Sequence, residues 1–287
     1  MKVEKGIVLA GGSGSRLWPM TAVCNKQLLP IYDKPAIYYP ISTLMLIGIR
    51  QILIISSPEG IQSIERMLGD GSQLGIELLY APQYEPKGLP EAFIIGERFI
   101  GGDPVIMILG DNFFHGHAIT EMLKVEPYER SKIFLYPVND PGRYGVAELD
   151  KEGKVVSVFE KPKKPSSNLA ITGFYYFDSS VAERAKRLSP SLRGELEMTD
   201  LINQYDADKL LSAVVFGRGY VWFDIGTPQA LNNASNYVEV IQSRQGVTIG
   251  SLEEVAWRMG FISGEQLKYL ITSIPHCKYK NYLESIL

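Results

Sequence analysis

Short apolar runs alternate with amphipathic stretches through the first 110 residues. The runs lie at 6–10, 51–56, 76–80 and 104–109. Each is apolar without alternation, the pattern of a strand buried on both faces of a parallel sheet. Helical spacing fills the intervals at 37–49, 61–68 and 89–99. Strands separated by such helices predict βαβ crossovers and an α/β fold.

The rhythm quickens after residue 130. Runs at 132–138, 145–149, 155–159 and 170–177 follow one another closely, and Asp150-Lys151-Glu152-Gly153-Lys154 reads as a hairpin turn between two of them. Mixed or antiparallel strands are therefore expected beside the parallel ones. Helical spacing returns at 180–188 and 199–205, with Thr199 as a loose cap. A further strand is expected at 210–216. From residue 228 onward the chain reads as mainly helical, with Leu267, Leu270 and Ile271 on one face. No linker, low-complexity tract or repeat interrupts the pattern. The expected partition is a catalytic domain at 1–240 and a helical extension at 241–287 packed on it. The fold class is α/β, with a mixed, mainly parallel central sheet flanked by helices.

Of 287 residues, 45% are hydrophobic and 21% charged, a globular rather than a disordered composition. A net charge of −3 provides no global cationic field, so a nucleic-acid partner is not expected. The two cysteines, Cys24 and Cys277, cannot form a disulfide scaffold and fit a reducing compartment. The apolar segment behind the N-terminus is too short for a signal core, and residues 38–49 are too short to span a bilayer. A soluble, cytoplasmic protein without membrane contact is expected.

The chemistry begins at Leu9-Ala10-Gly11-Gly12-Ser13-Gly14-Ser15-Arg16, where three glycines follow the first strand directly. Ligands of open α/β sheets bind beyond the carboxyl ends of the strands, and glycines there let backbone N–H groups approach phosphate oxygens. Arg16 adds a fork of donors suited to phosphate. A P-loop would end Gly-Lys-Ser/Thr, where this loop has Gly14-Ser15-Arg16. A dinucleotide fingerprint would carry glycine where Leu17 stands. Lys26 supplies a second cation in an apolar setting. Asp111 and Asp224 are candidate Mg²⁺ ligands, since that ion takes a few carboxylates with phosphate and water. Lys161 could reach an anion and Glu160 sugar hydroxyls, while Arg193 precedes a helix start. His115 and His117 have poor metal spacing, and Cys24 has no histidine nearby in sequence to activate it. Taken singly, each candidate has an ordinary explanation as a turn, a cap or a surface charge.

Together they are more specific. The run Gly11-Gly12-Ser13-Gly14-Ser15-Arg16-Leu17-Trp18-Pro19-Met20-Thr21, then Lys26-Gln27-Leu28-Leu29-Pro30, resembles the signature of the sugar-1-phosphate nucleotidyltransferase family. Gly88-Leu89, Leu109-Gly110-Asp111-Asn112, Arg143-Tyr144-Gly145-Val146, Glu160-Lys161-Pro162 and Arg193-Gly194-Glu195-Leu196-Glu197 extend the match over nearly the whole chain. The resemblance implies a Rossmann-like sheet and a reaction in which glucose 1-phosphate attacks the α-phosphorus of dTTP, releasing pyrophosphate and dTDP-glucose.

It also implies roles. Leu9, Gly11, Gly12, Ser13 and Gly14 would meet the nucleotide, mainly through backbone. Arg16 and Lys26 would hold its phosphates. Gln83 and Gly88 would contact thymine, with Gln27 close by. Asp111 and Asp224 would bind Mg²⁺. Tyr144, Gly145, Glu160 and Thr172 would line the glucose, and Lys161 and Arg193 would hold its phosphate. Family members are typically homotetramers inhibited by dTDP-rhamnose, here at residues 115–121, Arg218-Gly219 and 254–258. Three departures stand out. Asp224-Ile225-Gly226-Thr227 replaces the common Asp-Thr-Gly-Thr. Gly88-Leu89-Pro90-Glu91-Ala92 replaces Gly-Leu-Ala-Gln-Ala. Thr172 stands where valine is common. Two alternatives stay open on the residues alone: a UTP-dependent uridylyltransferase, and a catalytically silent sugar-nucleotide-binding subunit.

Overall fold

The computed structural model describes residues 3–117, 119–123 and 130–287. Its strands, in chain order, are β1 (Lys5–Leu9), β2 (Pro30–Ile31), β3 (Lys34–Pro35), β4 (Gln51–Ser56), β5 (Glu77–Pro82), β6 (Val105–Leu109), β7 (Asn112–Gly116), β8 (Ser131–Pro137), β9 (Gly145–Leu149), β10 (Val155–Glu160), β11 (Leu169–Phe177), β12 (Leu211–Val215) and β13 (Tyr220–Asp224). The helices are α1 (Tyr38–Leu46), α2 (Pro58–Leu68), α3 (Glu91–Ile95), α4 (Glu97–Ile100), α5 (Ile119–Met122), α6 (Val181–Lys186), α7 (Met198–Ala207), α8 (Pro228–Gln245), α9 (Leu252–Arg258), α10 (Gly264–Ser273) and α11 (Lys278–Ser285).

The main sheet runs β10-β9-β11-β6-β1-β4-β5, with β8 joining β11 to β12. β6, β1, β4 and β5 are parallel. β11 enters antiparallel to β6 and turns the sheet mixed. The expected α/β fold with a mixed, mainly parallel sheet is observed. Alternate side chains of the central strands enter separate cores. Val8, Ile52, Ile54, Ile106 and Ile108 pack with α1, α2 and the C-terminal helices α9–α11. Ile7, Leu9, Leu53, Ile55 and Met107 pack with α3, α4, α6 and α7. Burial on both faces is why these strands are apolar at every position.

Helix ends are set by local chemistry. Ser57 Oγ accepts the Gly60 N–H at 3.1 Å and Pro58 opens α2. Thr227 caps α8 in the same way, and left-handed Gly246 ends it. A reciprocal capping box of Ser263 and Gln266 starts α10. The division expected at 240 falls inside α8, which runs unbroken to Gln245.

Several expectations are corrected. The helix expected at 89–99 is two short helices interrupted at Gly96, where a Cβ would press on Ile7 and Leu53 of the sheet. Thr199 does not cap α7. It lies inside the helix, buried, and its hydroxyl donates to Glu160 Oε2 at 3.4 Å. The antiparallel pair β7–β13, with Asn112 opposite Asp224, has no counterpart among the expected strands. It brings Asn112, Trp222 and Asp224 to the cavity described below. Phe113 packs with Tyr39, Ile225, Ala234 and Val238, tying the pair to α1 and α8.

Asn112 fastens this ribbon to the main sheet. Its Oδ1 accepts from Trp222 Nε1 at 2.6 Å and from the Gly173 N–H at 3.0 Å, while its Nδ2 donates to Asp111 at 2.9 Å. Asn112→Ala strands two buried donors, and should lower the unfolding free energy by about 3 kcal/mol. Urea denaturation checks this; a loss near zero would mean that the ribbon is held by its aromatic packing alone.

Candidate active site

The ends of β1, β4, β5 and β6 open on one edge of the sheet, and a cavity of about 380 Å³ lies there. Gly11 follows β1, Gln83 follows β5 and Asp111 follows β6. Leu9, Gly11, Gly12, Arg16, Gln27, Gln83, Gly88 and Asp111 form the wall toward the glycine loop. Tyr144, Gly145, Glu160, Lys161, Arg193 and Asp224 also line it, as do Arg143, Trp222 and alternate residues Ile171, Gly173 and Tyr175 of β11. Residues separated by more than two hundred positions, Leu9 and Asp224, thus face one space.

Charge is concentrated at the β6 end. Lys26 Nζ pairs with Asp111 Oδ2, both groups largely buried. Burial pushes the Asp111 carboxyl up, but the Lys26 ammonium and the Asn112 amide more than offset this and hold it below the ordinary value. Asp224 shifts the other way. Burial and the negative charge of Asp111 push it up, against the pull of Lys26, Arg16 and Arg143. The Ile225 N–H donates to the Asp111 carbonyl at 3.0 Å, which ties the two acidic positions together through backbone. The Arg16 guanidinium and the Asp224 carboxylate both approach Gly226, where a Cβ would lie 2.6 Å from Arg16 Nη2 and 3.0 Å from Asp224 Oδ1.

The opposite wall holds a second charged network. Glu160 Oε1 takes Arg193 Nη2 at 3.0 Å and Lys161 Nζ at 3.3 Å. Glu197 grips the Arg193 guanidinium through both carboxylate oxygens, at 2.6 and 3.1 Å. Burial raises the Glu197 carboxyl, yet the bonds from Arg193 and Ser191 prevail and hold it low. Lys161 has φ +43, a left-handed backbone uncommon for a non-glycine residue. Its N–H donates to the Tyr144 carbonyl at 3.0 Å, which fixes that turn.

Some expected residues stand elsewhere. Thr172 is a correction: it is fully buried, its hydroxyl donates to the Phe134 carbonyl at 2.9 Å, and alternation along β11 aims it away from the cavity. Ser13 and Lys26 line an adjoining hollow of about 540 Å³, shared with Gly12 and Gln83. Gly14, left-handed at φ +61, is on neither wall; its carbonyl accepts from Thr21 Oγ1 at 2.9 Å. Cys24 also lines the hollow, and burial raises its thiol, the reverse of what a nucleophile needs. Gln27 Nε2 donates to the Gly11 carbonyl at 3.3 Å, while its Oε1 is buried with no partner among the described residues. Such an orphaned acceptor suits a ligand or water donor.

The nucleotidyl transferase family model matches residues 5–240. The chain belongs to that family. It is 48% identical over 285 residues to a glucose-1-phosphate thymidylyltransferase of Neisseria meningitidis serogroup A / serotype 4A, with 99% of each chain covered. It is 46% identical over 284 residues to one of Mycolicibacterium smegmatis, again over 99% of each. Among solved structures, UDP-glucose pyrophosphorylase complexed with UDP-glucose aligns with a TM-score of 0.73 at 26% identity, covering 83% of this chain and 99% of that one.

The cavity of this nucleotidyl transferase is also built with residues to which the sequence assigned no role. Arg143 is a further cation on the wall. Asn112 orients Asp111, and Glu197 orients Arg193. Gly226 makes room for Arg16. Asn112, Arg143 and Glu197 all lie within the quoted motifs, beside residues that were singled out. Gly226→Ala should push the Arg16 guanidinium aside and weaken nucleoside triphosphate binding about tenfold, since small misplacements of a charged group in a site are costly. The KM for the nucleotide in a pyrophosphate-release assay reads this, and an unchanged KM would separate Arg16 from nucleotide binding.

Proposed function

We propose that this nucleotidyl transferase moves a thymidylyl group from dTTP to glucose 1-phosphate, giving dTDP-glucose and pyrophosphate. The observation that carries this is the gathering of cations around one cavity. Arg16, at the glycine loop, lines it together with Lys161 and Arg193, and Lys26 borders it from the adjoining hollow through its pair with Asp111. Two anions that repel each other in water can be drawn together there. The names of the full-length relatives supply the base and the sugar.

The protein's work is alignment and charge neutralisation. In this reading the loop backbone at Gly11, Gly12, Ser13 and Gly14 approaches the triphosphate. Arg16 stabilises charge on the departing pyrophosphate. Lys26, which rests on Asp111, meets a competing anion when a triphosphate enters. Lys161 and Arg193 hold the phosphate of glucose 1-phosphate for in-line attack on the α-phosphorus. Tyr144, Gly145 and Glu160 face the glucose, with Ile171 and Gly173 where Thr172 was expected. Gln83 and Gly88 face the base, with Leu9 and Gln27 nearby.

Asp111 and Asp224 fit a Mg²⁺ ion. They are two neighbouring carboxylates whose mutual repulsion is left partly unrelieved at Asp224. Among the described residues no cluster of three or more acidic, histidine or cysteine ligands forms a closed cage, which suits an ion completed by phosphate oxygens and water. When bound, the ion would neutralise phosphate charge between the two aspartates.

The proposal extends to context. Among the described residues no helix is long and apolar enough to cross a membrane. The free cysteines suit the reducing cytoplasm. The resemblance supports a homotetramer that feeds dTDP-rhamnose synthesis and is restrained by that end product. Of the regulatory positions, His115 lies on β7 with Nδ1 2.8 Å from the Tyr237 hydroxyl, and residues 254–258 lie on α9. Ala118 is outside the described residues.

Pyrophosphate release with glucose 1-phosphate and Mg²⁺, compared across dTTP, UTP, CTP, ATP and GTP, tests the assignment. Release should be fastest with dTTP and abolished by chelation. Preference for UTP would keep the reaction and replace the base. No release with any nucleotide would favour the silent-subunit alternative.

A further inference from the structure

Gln83 is nearly fully buried, and its side-chain amide is clamped from one side. Its Nε2 donates to Glu91 Oε2 at 2.7 Å. The same carboxylate oxygen accepts the Lys87 N–H at 3.1 Å. Glu91 is the first residue of α3, directly after Pro90, so its backbone is fixed by the helix start. A carboxylate has no hydrogen to give, so the Gln83 atom that meets it must be the nitrogen. The amide carbonyl is thereby turned the other way. Gln83 Oε1 lies against Gly11, where a Cβ would come within 2.2 Å of it, and no donor meets it among the described residues. Both residues belong to the cavity wall.

We infer that Glu91 is a positioning residue that selects the nucleobase by locking the orientation of the Gln83 amide. This rests on the proposal that the cavity takes a pyrimidine nucleoside triphosphate with its base at Gln83. With the carbonyl presented, the wall offers an acceptor. Thymine and uracil carry a hydrogen on N3 and can donate to it. Cytosine carries a bare N3 there and would face oxygen against nitrogen lone pair. A free glutamine turns over at little cost and accepts either edge. A glutamine tied to an acceptor-only partner does not. Glu91 touches no reacting atom in this scheme and acts through Gln83 alone.

The test compares kcat/KM for dTTP and dCTP, with glucose 1-phosphate and the full chain. In Glu91→Ala the preference for dTTP should fall about tenfold, through a higher KM for dTTP with kcat kept. In Glu91→Lys the new ammonium attracts the Gln83 carbonyl and turns the amide over, so the preference should fall further. Glu91→Gln still offers a carbonyl acceptor and should restore most of it. In a Gln83→Ala background, Glu91→Ala should leave the ratio unmoved. The inference is overturned if Glu91→Ala lowers kcat for both nucleotides and leaves their ratio intact, or if Glu91→Gln is as impaired as Glu91→Ala. Should Glu91→Ala fail to fold, the Gln and Lys variants decide, because the ratio should stay near the parent's in Glu91→Gln and fall in Glu91→Lys. If the parent protein shows no preference for dTTP over dCTP, the base assignment itself falls, and this inference with it. A parent that prefers dTTP beside an indifferent Glu91 series removes only the role of Glu91.

Discussion

Opposite charges packed at the carboxyl edge of the central sheet organise this molecule. Lys26 rests on Asp111, and Asp224 is pressed beside that pair with Arg16 and Arg143 around it. Burial makes each charge costly unless it is matched. The surroundings therefore have to hold every member in place, and much of the chain beyond the sheet does so. Asn112 braces Asp111, the β7–β13 ribbon brings Asp224 alongside, and Gly226 leaves room for the guanidinium. An imbalance persists, with one carboxyl held low and its neighbour pushed up. The Mg²⁺ proposed for this site would relieve that imbalance.

The same logic governs the far wall. Arg193 is gripped by Glu197, and Glu160 gathers Arg193 and Lys161 together. Between the two charged groups lies a floor built from β11, whose alternation sends Ile171, Gly173 and Tyr175 into the cavity and Thr172 into the core. Gly173 is needed there, because a Cβ would come within 2.6 Å of Asn112 Oδ1. Fold and site thus share atoms. The amide that closes the sheet-to-ribbon junction also orients an acidic group of the site.

The parallel strands were legible because burial on both faces leaves a local trace in each segment. Among them β4 coincides with its expected span, and β1 and β6 differ by a residue at one or both ends; the antiparallel β9 also coincides with its span. The ribbon was not legible for the opposite reason. Only two residues separate β6 from β7, and the partner of β7 lies more than a hundred residues later, so neither segment announces itself without the other. Most expected site residues do share the cavity, since their motifs each sit at a strand end or a loop beside one. Thr172 failed because facing depends on strand alternation near an irregular register in β11. Asn112, Glu197 and Glu91 act on other side chains across space, and a sequence lists neighbours only in order.

On this account the protein offers no nucleophile of its own. The two substrates are aligned, their charges are met, and one displacement follows. The stereochemistry at the α-phosphorus tests that most directly. With dTTP carrying a single sulfur on its α-phosphorus in one defined configuration, direct attack by glucose 1-phosphate must give a dTDP-glucose analogue of inverted configuration. Phosphorus NMR distinguishes the two products. Retention would mean two successive displacements through a covalent nucleotidyl-enzyme, and would contradict the account.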